Sequence, residues 1–423
     1  MVIVITACHI LFIFLLAYRI WRRETFLKII FWPSLILKLL AGISLGLLYT
    51  YYYPVGDTFE YFNDASTLAS VAIQDFSAYA DFLFFNRDPD SRQLTFYEPR
   101  AVFLTKIASF FSIVTHNNYW VISLYFSFVS FLAAWLLVKT INRNVSSVTA
   151  PSVIAFLLLP SIVFWTSGLI KESLAVAALY YLTAFFLKIW FNEKLRTVHC
   201  VMAVISLWIF WNLKYYFMAI FLPVVCTTLM YKFIIRKRFE RSAGLEVVVW
   251  ITILIIPLVL ISFLHPNFYP ERFLNVIVLN NTAYNELSAP EDLIHFTNLQ
   301  AEPWSIIRNA PLALFSGLFR PLFWEAGTIL QFLVSVENTI LLFFFLTALS
   351  QMKRNFTSPY RVLVLALMVY VTLLCIFITL SAPNFGTLSR YRAGYLSFFV
   401  FLILCNNPLL DSLERSFQRL VSH

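Results

Sequence analysis

Long apolar runs alternate with short polar segments along most of the chain, and this alternation is its dominant pattern. A helix needs about 20 mostly apolar residues to cross the hydrocarbon core of a bilayer, and the runs approach that length. Because no water is available there, each run must satisfy its own backbone hydrogen bonds, which favours helices. We therefore predict an all-α, polytopic transmembrane protein of about eleven spans, at 2–18, 29–53, 117–138, 149–166, 172–191, 197–212, 216–234, 246–264, 333–350, 360–380 and 393–406.

Two of the connecting segments, 54–116 and 265–332, are much longer than the others. Both contain apolar residues at helical spacing, which predicts helices that lie along the membrane surface. The sequence has no internal repeat and no separable soluble domain, so residues 1–423 are interpreted as a single integral membrane domain.

Composition and charge support this interpretation and add an orientation. The chain is 60% hydrophobic and only 13% charged, which is too little charge to cover a soluble domain of 423 residues. Nineteen of the 31 Lys and Arg residues lie in one alternate set of connecting segments, at 19–28, 139–143, 188–196, 232–241, 353–361 and 415–419. Lys and Arg accumulate on the cytoplasmic side, so this set is predicted to be cytoplasmic and the other set, which includes 54–116 and 265–332, to be extracytoplasmic. We predict a multi-pass protein of the inner (cytoplasmic) membrane, with an extracytoplasmic amino terminus and a cytoplasmic carboxyl terminus.

The same distribution explains the net charge of +9 without nucleic acid as a partner. The five cysteines and six histidines show no spacing typical of a disulfide framework or a zinc site. No metal is predicted.

The first candidate site lies at the start of the segment 54–116. Asp57, Glu60, Tyr61 and Asp64 follow Gly56 at a spacing that places them on one face of a helix. One interpretation is structural, with Asp57 as an N-cap and Glu60 completing a capping box. The other is that Asp57, fixed at the membrane surface, acts as a general base.

Two lysines are candidates for binding an anion at the same membrane face. Lys171 and Glu172 lie where one predicted span ends and the next begins, and Lys214 lies in a very tight turn between two spans. The structural alternative is a lysine that extends to the interface and pairs locally.

Three arginines occur in late segments on this face, where basic residues are otherwise scarce: Arg320, Arg390 and Arg392. The planar guanidinium group matches the geometry of phosphate. The structural alternative is that these arginines form ion pairs with acidic residues of the segment 54–116. Taken together, a candidate base and several candidate phosphate ligands on one face favour transfer of a group from a lipid phosphate.

The chain resembles the GT-C superfamily of membrane glycosyltransferases in three features. The Gly56-Asp57 pair opens a long first outer loop, that loop contains predicted surface helices, and late outer loops carry Arg320, Arg390 and Arg392. The resemblance implies a polyprenyl-phosphate-linked sugar as donor, a glycan, lipid or protein as acceptor, and a role in cell-envelope polysaccharide. It implies Asp57 as the catalytic residue, with Glu60 or Asp64 as the alternative, and basic residues of later loops as ligands of the lipid phosphate. It requires no cofactor, and a divalent cation is compatible with the sequence but not indicated by it.

Two other functions are consistent with this topology. A polysaccharide polymerase or ligase that joins lipid-linked oligosaccharides shares the lipid substrate. A transporter or flippase is less favoured, because such proteins carry charged residues near the bilayer midplane, often in repeated halves. We place only Lys38 well within a predicted span.

Overall fold

A computed structural model describes residues 2–25, 27–53, 56–87, 94–145, 147–235, 243–350 and 359–421. Within these ranges the regular structure is helical, with no strand and one isolated antiparallel bridge between Leu293 and Asn384. The predicted all-α class is therefore confirmed for the described part of the chain. The basic residues predicted at 236–241 and 353–354 lie outside the described residues.

Eighteen α-helices follow one another along the described segments. The first nine are α1 (Val2–Arg22), α2 (Lys28–Tyr51), α3 (Asp57–Gln74), α4 (Phe76–Phe85), α5 (Pro99–Thr115), α6 (Tyr119–Asn144), α7 (Thr149–Val153), α8 (Pro160–Trp165) and α9 (Lys171–Trp190). The others are α10 (Thr197–Met230), α11 (Ala243–Ser262), α12 (Pro270–Leu287), α13 (Pro303–Phe319), α14 (Ile329–Leu349), α15 (Arg361–Ser381), α16 (Phe385–Tyr391), α17 (Leu396–Leu404) and α18 (Asp411–Val421).

Eight of the described helices are long and apolar enough to cross a membrane, namely α1, α2, α6, α9, α10, α11, α14 and α15. A ninth is added if α17 and the helix after it, which are bent by 80°, form one span. The chain is thus an all-helical membrane protein, but the predicted number of eleven spans is not confirmed. One difference lies at 149–166, where the apolar helix Thr149–Leu158 is short and a new helix begins at Pro160.

The other difference lies in α10, which reverses direction at Lys214, where the backbone is not helical (φ −145°, ψ 58°). The rings of Phe210 and Phe221 are 6.1 Å apart, although eleven residues of a straight helix extend about 16 Å. Helix α10 begins soon after Trp190, and Lys232 beyond its end donates to the Trp190 carbonyl at 2.6 Å. Both ends of α10 therefore lie at the same end of α9. The two antiparallel arms, 197–213 and 215–235, correspond to the predicted spans 197–212 and 216–234.

The long segments 54–116 and 265–332 contain helices, as predicted: α3, α4 and α5 in the first, and α12 and α13 in the second. Helix α3 packs against α5 and the chain before it, and Asp64 accepts hydrogen bonds from the amides of Thr95 and Phe96 at 2.8 and 3.2 Å. Helix α12 is tied to the end of α15, where Asn281 donates to the Leu380 carbonyl at 2.7 Å. These helices and the ends of the long helices enclose the candidate site.

A short polar loop, 166–170, sets the start of α9. Gly168 has φ +74°, a conformation that L side chains rarely adopt, and its amide donates to the Ser127 hydroxyl at 2.9 Å. A Cβ atom at Gly168 would lie 2.9 Å from the side chain of Leu45 in α2. Lys38, also in α2, donates to the hydroxyl of Thr166. The loop is therefore held against α2 and α6, which fixes where the next helix begins.

We expect Gly168→Ala to lower the unfolding temperature of the purified protein, because the left-handed conformation costs a residue with a Cβ atom about 1–2 kcal/mol and the Leu45 contact adds to this. The control is Gly244→Ala in α11, where a Cβ atom would meet nothing within 4 Å. The measurement is thermal unfolding followed by tryptophan fluorescence in detergent. Equal unfolding temperatures for the two variants would show that the loop tolerates the change.

Candidate functional site

Five charged side chains from four separate segments meet at one end of the helical bundle, and we call them the ionic cluster: Asp57, Lys171, Glu172, Lys214 and Arg390. Arg390 is its centre, with Nη1 at 2.9 Å from Asp57 Oδ2 and Nε at 2.8 Å from Glu172 Oε2. Lys214 Nζ lies 2.7 Å from the other oxygen of Glu172. The contacts form a continuous chain of alternating charges from Asp57 to Lys214.

The helices explain why these residues meet. Asp57 lies in the first turn of α3, Glu172 in the first turn of α9, and Arg390 in the last turn of α16. Carboxylates are stabilised at helix amino termini and cations at carboxyl termini, so each of the three has the sign that its position favours. Lys214 occupies the reversal of α10, which brings it to the same end of the bundle as the start of α9.

Exposure changes steadily along the cluster. The side chains of Glu172 and Lys214 are 1% and 2% exposed, Arg390 is 12% exposed, and Asp57 is 39% exposed. Charges in a low-dielectric interior are stable only when they are paired, so Glu172, Lys214 and Arg390 depend on one another. Asp57 is the end of this series of charges that is open to solvent.

Tyrosine side chains surround the inner charges. The Lys214 ammonium lies 4.0 Å from the ring centroid of Tyr391 and 3.0 Å from the hydroxyl of Tyr216. Lys171 lies over the ring of Tyr61 at 5.3 Å. Burial raises the pKa of both Tyr61 and Tyr391, so these phenols stay neutral at physiological pH.

Gly56 has a packing role beside Asp57. Its backbone is extended, but a Cβ atom there would lie 2.1 Å from the ring of Tyr49. Tyr49 in turn lies beside Arg390. The absence of a side chain at residue 56 therefore lets Tyr49 approach the backbone next to the candidate base.

Asp57 is not an N-cap, which corrects the structural interpretation of this segment. Helix α3 begins at Asp57 itself, its N-cap is Gly56, and no side chain caps it. The Asp57 carboxylate instead contacts Arg390. The alternative predicted for this arginine, an ion pair with the segment 54–116, is therefore present.

The other predicted residues of α3 take different places. Glu60 is half-buried, and its pKa is raised by desolvation and by the carboxylates of Asp57 and Asp64. Asp64 is 2% exposed and holds the backbone at Thr95 and Phe96 rather than facing the cluster. Tyr61 packs against Phe96, with ring centroids 4.6 Å apart and ring planes tilted by 30°.

Arg320 and Arg392 do not join the ionic cluster. Arg320 Nε donates to Glu325 Oε1 at 2.8 Å, so the arginine is neutralised within its own segment. Arg392 is 1% exposed, donates to Asn338 Oδ1 at 2.7 Å and has Nη2 3.7 Å from Glu337 Oε1. Their prediction as phosphate ligands therefore has no support from the geometry, because Arg320 is neutralised by Glu325 and Arg392 is buried away from the cluster.

Glu337 also corrects the placement of charges in the predicted spans. It lies well inside α14, a candidate span, and its position also falls within the predicted span 333–350. Its oxygens accept from both the amide and the hydroxyl of Ser161, at 2.9 and 2.5 Å. Lys38 is therefore not the only charge well within a span.

Sequence reasoning missed Arg100, which begins α5 beside the cluster. Its guanidinium carbon lies 5.6 and 5.7 Å from the rings of Tyr215 and Tyr216. Neither Arg100 nor Lys171 pairs with a carboxylate among the described residues. The signal was available, because any basic residue in a predicted outer loop departs from the positive-inside distribution.

Two cavities adjoin this end of the bundle. The smaller, about 200 Å³, is lined by Arg100, Tyr216, Tyr284, Tyr391 and other residues. The larger, about 650 Å³, which we call the aromatic cavity, is lined by Phe96, Tyr97, Phe103, Trp208 and Asn212 among others. Pro99 lines the second and Arg100 the first, so the start of α5 separates them.

Within the described residues, no three or more His, Cys, Asp or Glu side chains form a group that could hold a metal ion. Independence from metals remains a prediction.

We expect Glu172→Gln to lower stability strongly, by about 3–5 kcal/mol, because Arg390 and Lys214 would lose the carboxylate they share in the interior. Asp57→Asn should cost less than about 1 kcal/mol, because Asp57 is the exposed end of the cluster. Thermal unfolding in nanodiscs measures both. Similar losses of stability in the two variants would contradict the inference that the buried Glu172 contributes more to stability than the exposed Asp57.

Comparisons with protein-family models, with curated proteins and with solved structures find no match for this chain.

Proposed function

We propose that the protein is a glycosyltransferase that moves a sugar from a polyprenyl-phosphate-linked donor to an acceptor hydroxyl at the extracytoplasmic membrane face. The observation that carries this proposal is the ionic cluster, in which an exposed carboxylate lies beside buried and half-buried cations. The polyprenyl carrier comes from the resemblance to the GT-C superfamily.

Asp57 is the proposed base. Arg390 holds its Oδ2 atom at 2.9 Å, which fixes the orientation of the carboxylate and leaves Oδ1 to accept a proton from an acceptor hydroxyl. The acceptor oxygen then forms a bond to the anomeric carbon as the bond from that carbon to the phosphate oxygen breaks. The electron pair leaves with the phosphate, and the stereochemistry at the anomeric carbon is inverted.

Lys171 and Arg100 are the proposed ligands of the leaving phosphate. Both are cations that no carboxylate among the described residues neutralises. Lys171 belongs to the ionic cluster, and Arg100 lies beside it. Cations already in position stabilise negative charge as it develops on the leaving group. Arg100 here takes the place of Arg320, Arg392 and Arg390, because the first two lie outside the cluster and Arg390 is paired with two carboxylates.

The aromatic cavity is the proposed place for the acceptor. Its volume of about 650 Å³ is within the range of ligand sites, roughly 300–1,000 Å³. Its aromatic rings offer faces for the apolar side of a sugar, and Asn212 offers an amide for a hydroxyl.

A transporter or flippase is the second candidate, and the Glu337–Arg392 pair favours it. Charged residues inside the membrane commonly mark pathways for ions or substrates. Solute uptake into sealed vesicles that Glu337→Gln abolishes and Asp57→Asn preserves would favour this candidate. A polymerase or ligase would share the donor and differ in its product, a lengthened lipid-linked glycan.

We expect Asp57→Asn to reduce release of polyprenyl phosphate from the correct lipid-linked sugar by about 10²–10⁴-fold, because the acceptor hydroxyl loses its base. The matched control is Asp81→Asn in α4, an exposed aspartate outside the cluster. The assay uses purified protein in nanodiscs with a panel of lipid-linked sugars and a range of acceptors.

Release that survives Asp57→Asn would exclude this aspartate as the base. Absence of release from every donor by a well-folded protein would favour transport.

A further inference from the structure

A second polar cavity lies at the other end of the bundle from the ionic cluster. Its volume is about 340 Å³, and its charged lining consists of Lys139, Arg143, Lys188, Glu193, Lys194 and Arg196. Helix α9 connects the two sites, with Glu172 in its first turn and Lys188 in its last. Sixteen residues of helix separate them by about 24 Å. We call this second site the basic cavity.

The charges that line the basic cavity are not balanced. Lys139 is neutralised by Glu24 at 2.8 Å, and Arg143 by Glu193 at 3.2 Å. Lys188, Lys194 and Arg196 form no ion pair among the described residues. Three positive charges therefore surround the cavity without a matching carboxylate.

Lys188 distinguishes this site from an ordinary basic surface. Basic residues at the cytoplasmic ends of spans are expected from the positive-inside rule, and water normally solvates them. Lys188 is only 9% exposed, and no hydrogen bond of its ammonium to another described residue is present. Lys188 lines the cavity and has no carboxylate partner, so an anion in the cavity would supply one.

The surface of α10 next to the cavity is apolar. Near His199, which lines the cavity, Val198, Val201 and Ile205 are 67%, 52% and 41% exposed. Their spacing places them on one face of the first arm of α10. In a candidate span, an exposed apolar face of this kind is suited to acyl chains.

We propose that the basic cavity binds the phosphate headgroup of an anionic phospholipid, with its acyl chains along the first arm of α10. Lysine and arginine side chains both bind phosphate, and arginine does so with two parallel hydrogen bonds. Basic cavities between helices at the cytoplasmic side of a membrane have this chemistry. The proposal is independent of the glycosyltransferase activity, because it concerns the opposite end of the bundle.

The test compares a cavity variant, Lys188→Met with Arg196→Gln, with a control variant, Arg22→Gln with Lys28→Met. Both control residues flank Glu24, which pairs with Lys139, so they lie at the same end of the bundle but do not line the cavity. Phosphatidylglycerol, phosphatidylcholine or inorganic phosphate is titrated into protein in detergent, and the unfolding temperature gives the apparent affinity.

We expect phosphatidylglycerol to raise the unfolding temperature of the unaltered protein, and phosphatidylcholine not to do so. The cavity variant should bind phosphatidylglycerol at least about tenfold more weakly, because two charge-assisted contacts are lost. The control variant should bind it as the unaltered protein does. If Lys188→Met does not fold, Lys194→Gln with Arg196→Gln removes two charges that lie on the exposed side of the cavity.

Three results would overturn the proposal. Equal weakening in the control variant would show that the lipid is attracted in general to the basic residues at this end of the bundle. Stabilisation by inorganic phosphate as large as that by phosphatidylglycerol would assign the cavity to a soluble phosphate compound. The absence of stabilisation by either phosphate source would show that the cavity binds neither.

Discussion

The Glu172 carboxylate lies in the interior with one oxygen on Arg390 and the other on Lys214, and the arrangement of this end of the protein depends on it. Removing three charged groups from water is costly, and only close pairing compensates. The three residues must therefore meet with accurate geometry. Their backbones belong to α9, α16 and the reversal of α10, so the pairing sets the relative positions of these elements.

Helix α16 is held from two sides. Arg390 in its last turn extends to Glu172 and Asp57, while Arg392, in the short turn that follows, extends to Asn338 and Glu337. The two guanidinium groups thereby tie one short segment to α3 and α9 on one side and to α14 on the other. Arg392 thereby helps to fix the position of Arg390, which in turn orients the carboxylate of Asp57.

The fate of the two arginines shows how far a sequence could predict the site. Segments on one predicted face of the membrane, with charged residues at helix ends, were enough to bring Asp57, Lys171, Glu172, Lys214 and Arg390 together as candidates. Residues two apart on a helix point about 200° apart, so nearness in sequence wrongly grouped Arg390 with Arg392. Long-range pairs such as Arg390 with Glu172 depend on packing between helices far apart in the chain. No local pattern encodes them.

For the helices, too, the sequence could predict some features and not others. Hydropathy located the apolar segments, including both arms of α10 and the tight turn at Lys214, because a span must be apolar whatever it packs against. The predicted N-cap at Asp57 was wrong by one residue, because sequence preference cannot show that Tyr49 closes over Gly56 and that Arg390 occupies the carboxylate. Local preference is overridden here by a tertiary contact. At this helix start, a cap is worth about 1 kcal/mol, whereas the network that Arg390 organises involves charges whose loss in the interior costs several times more.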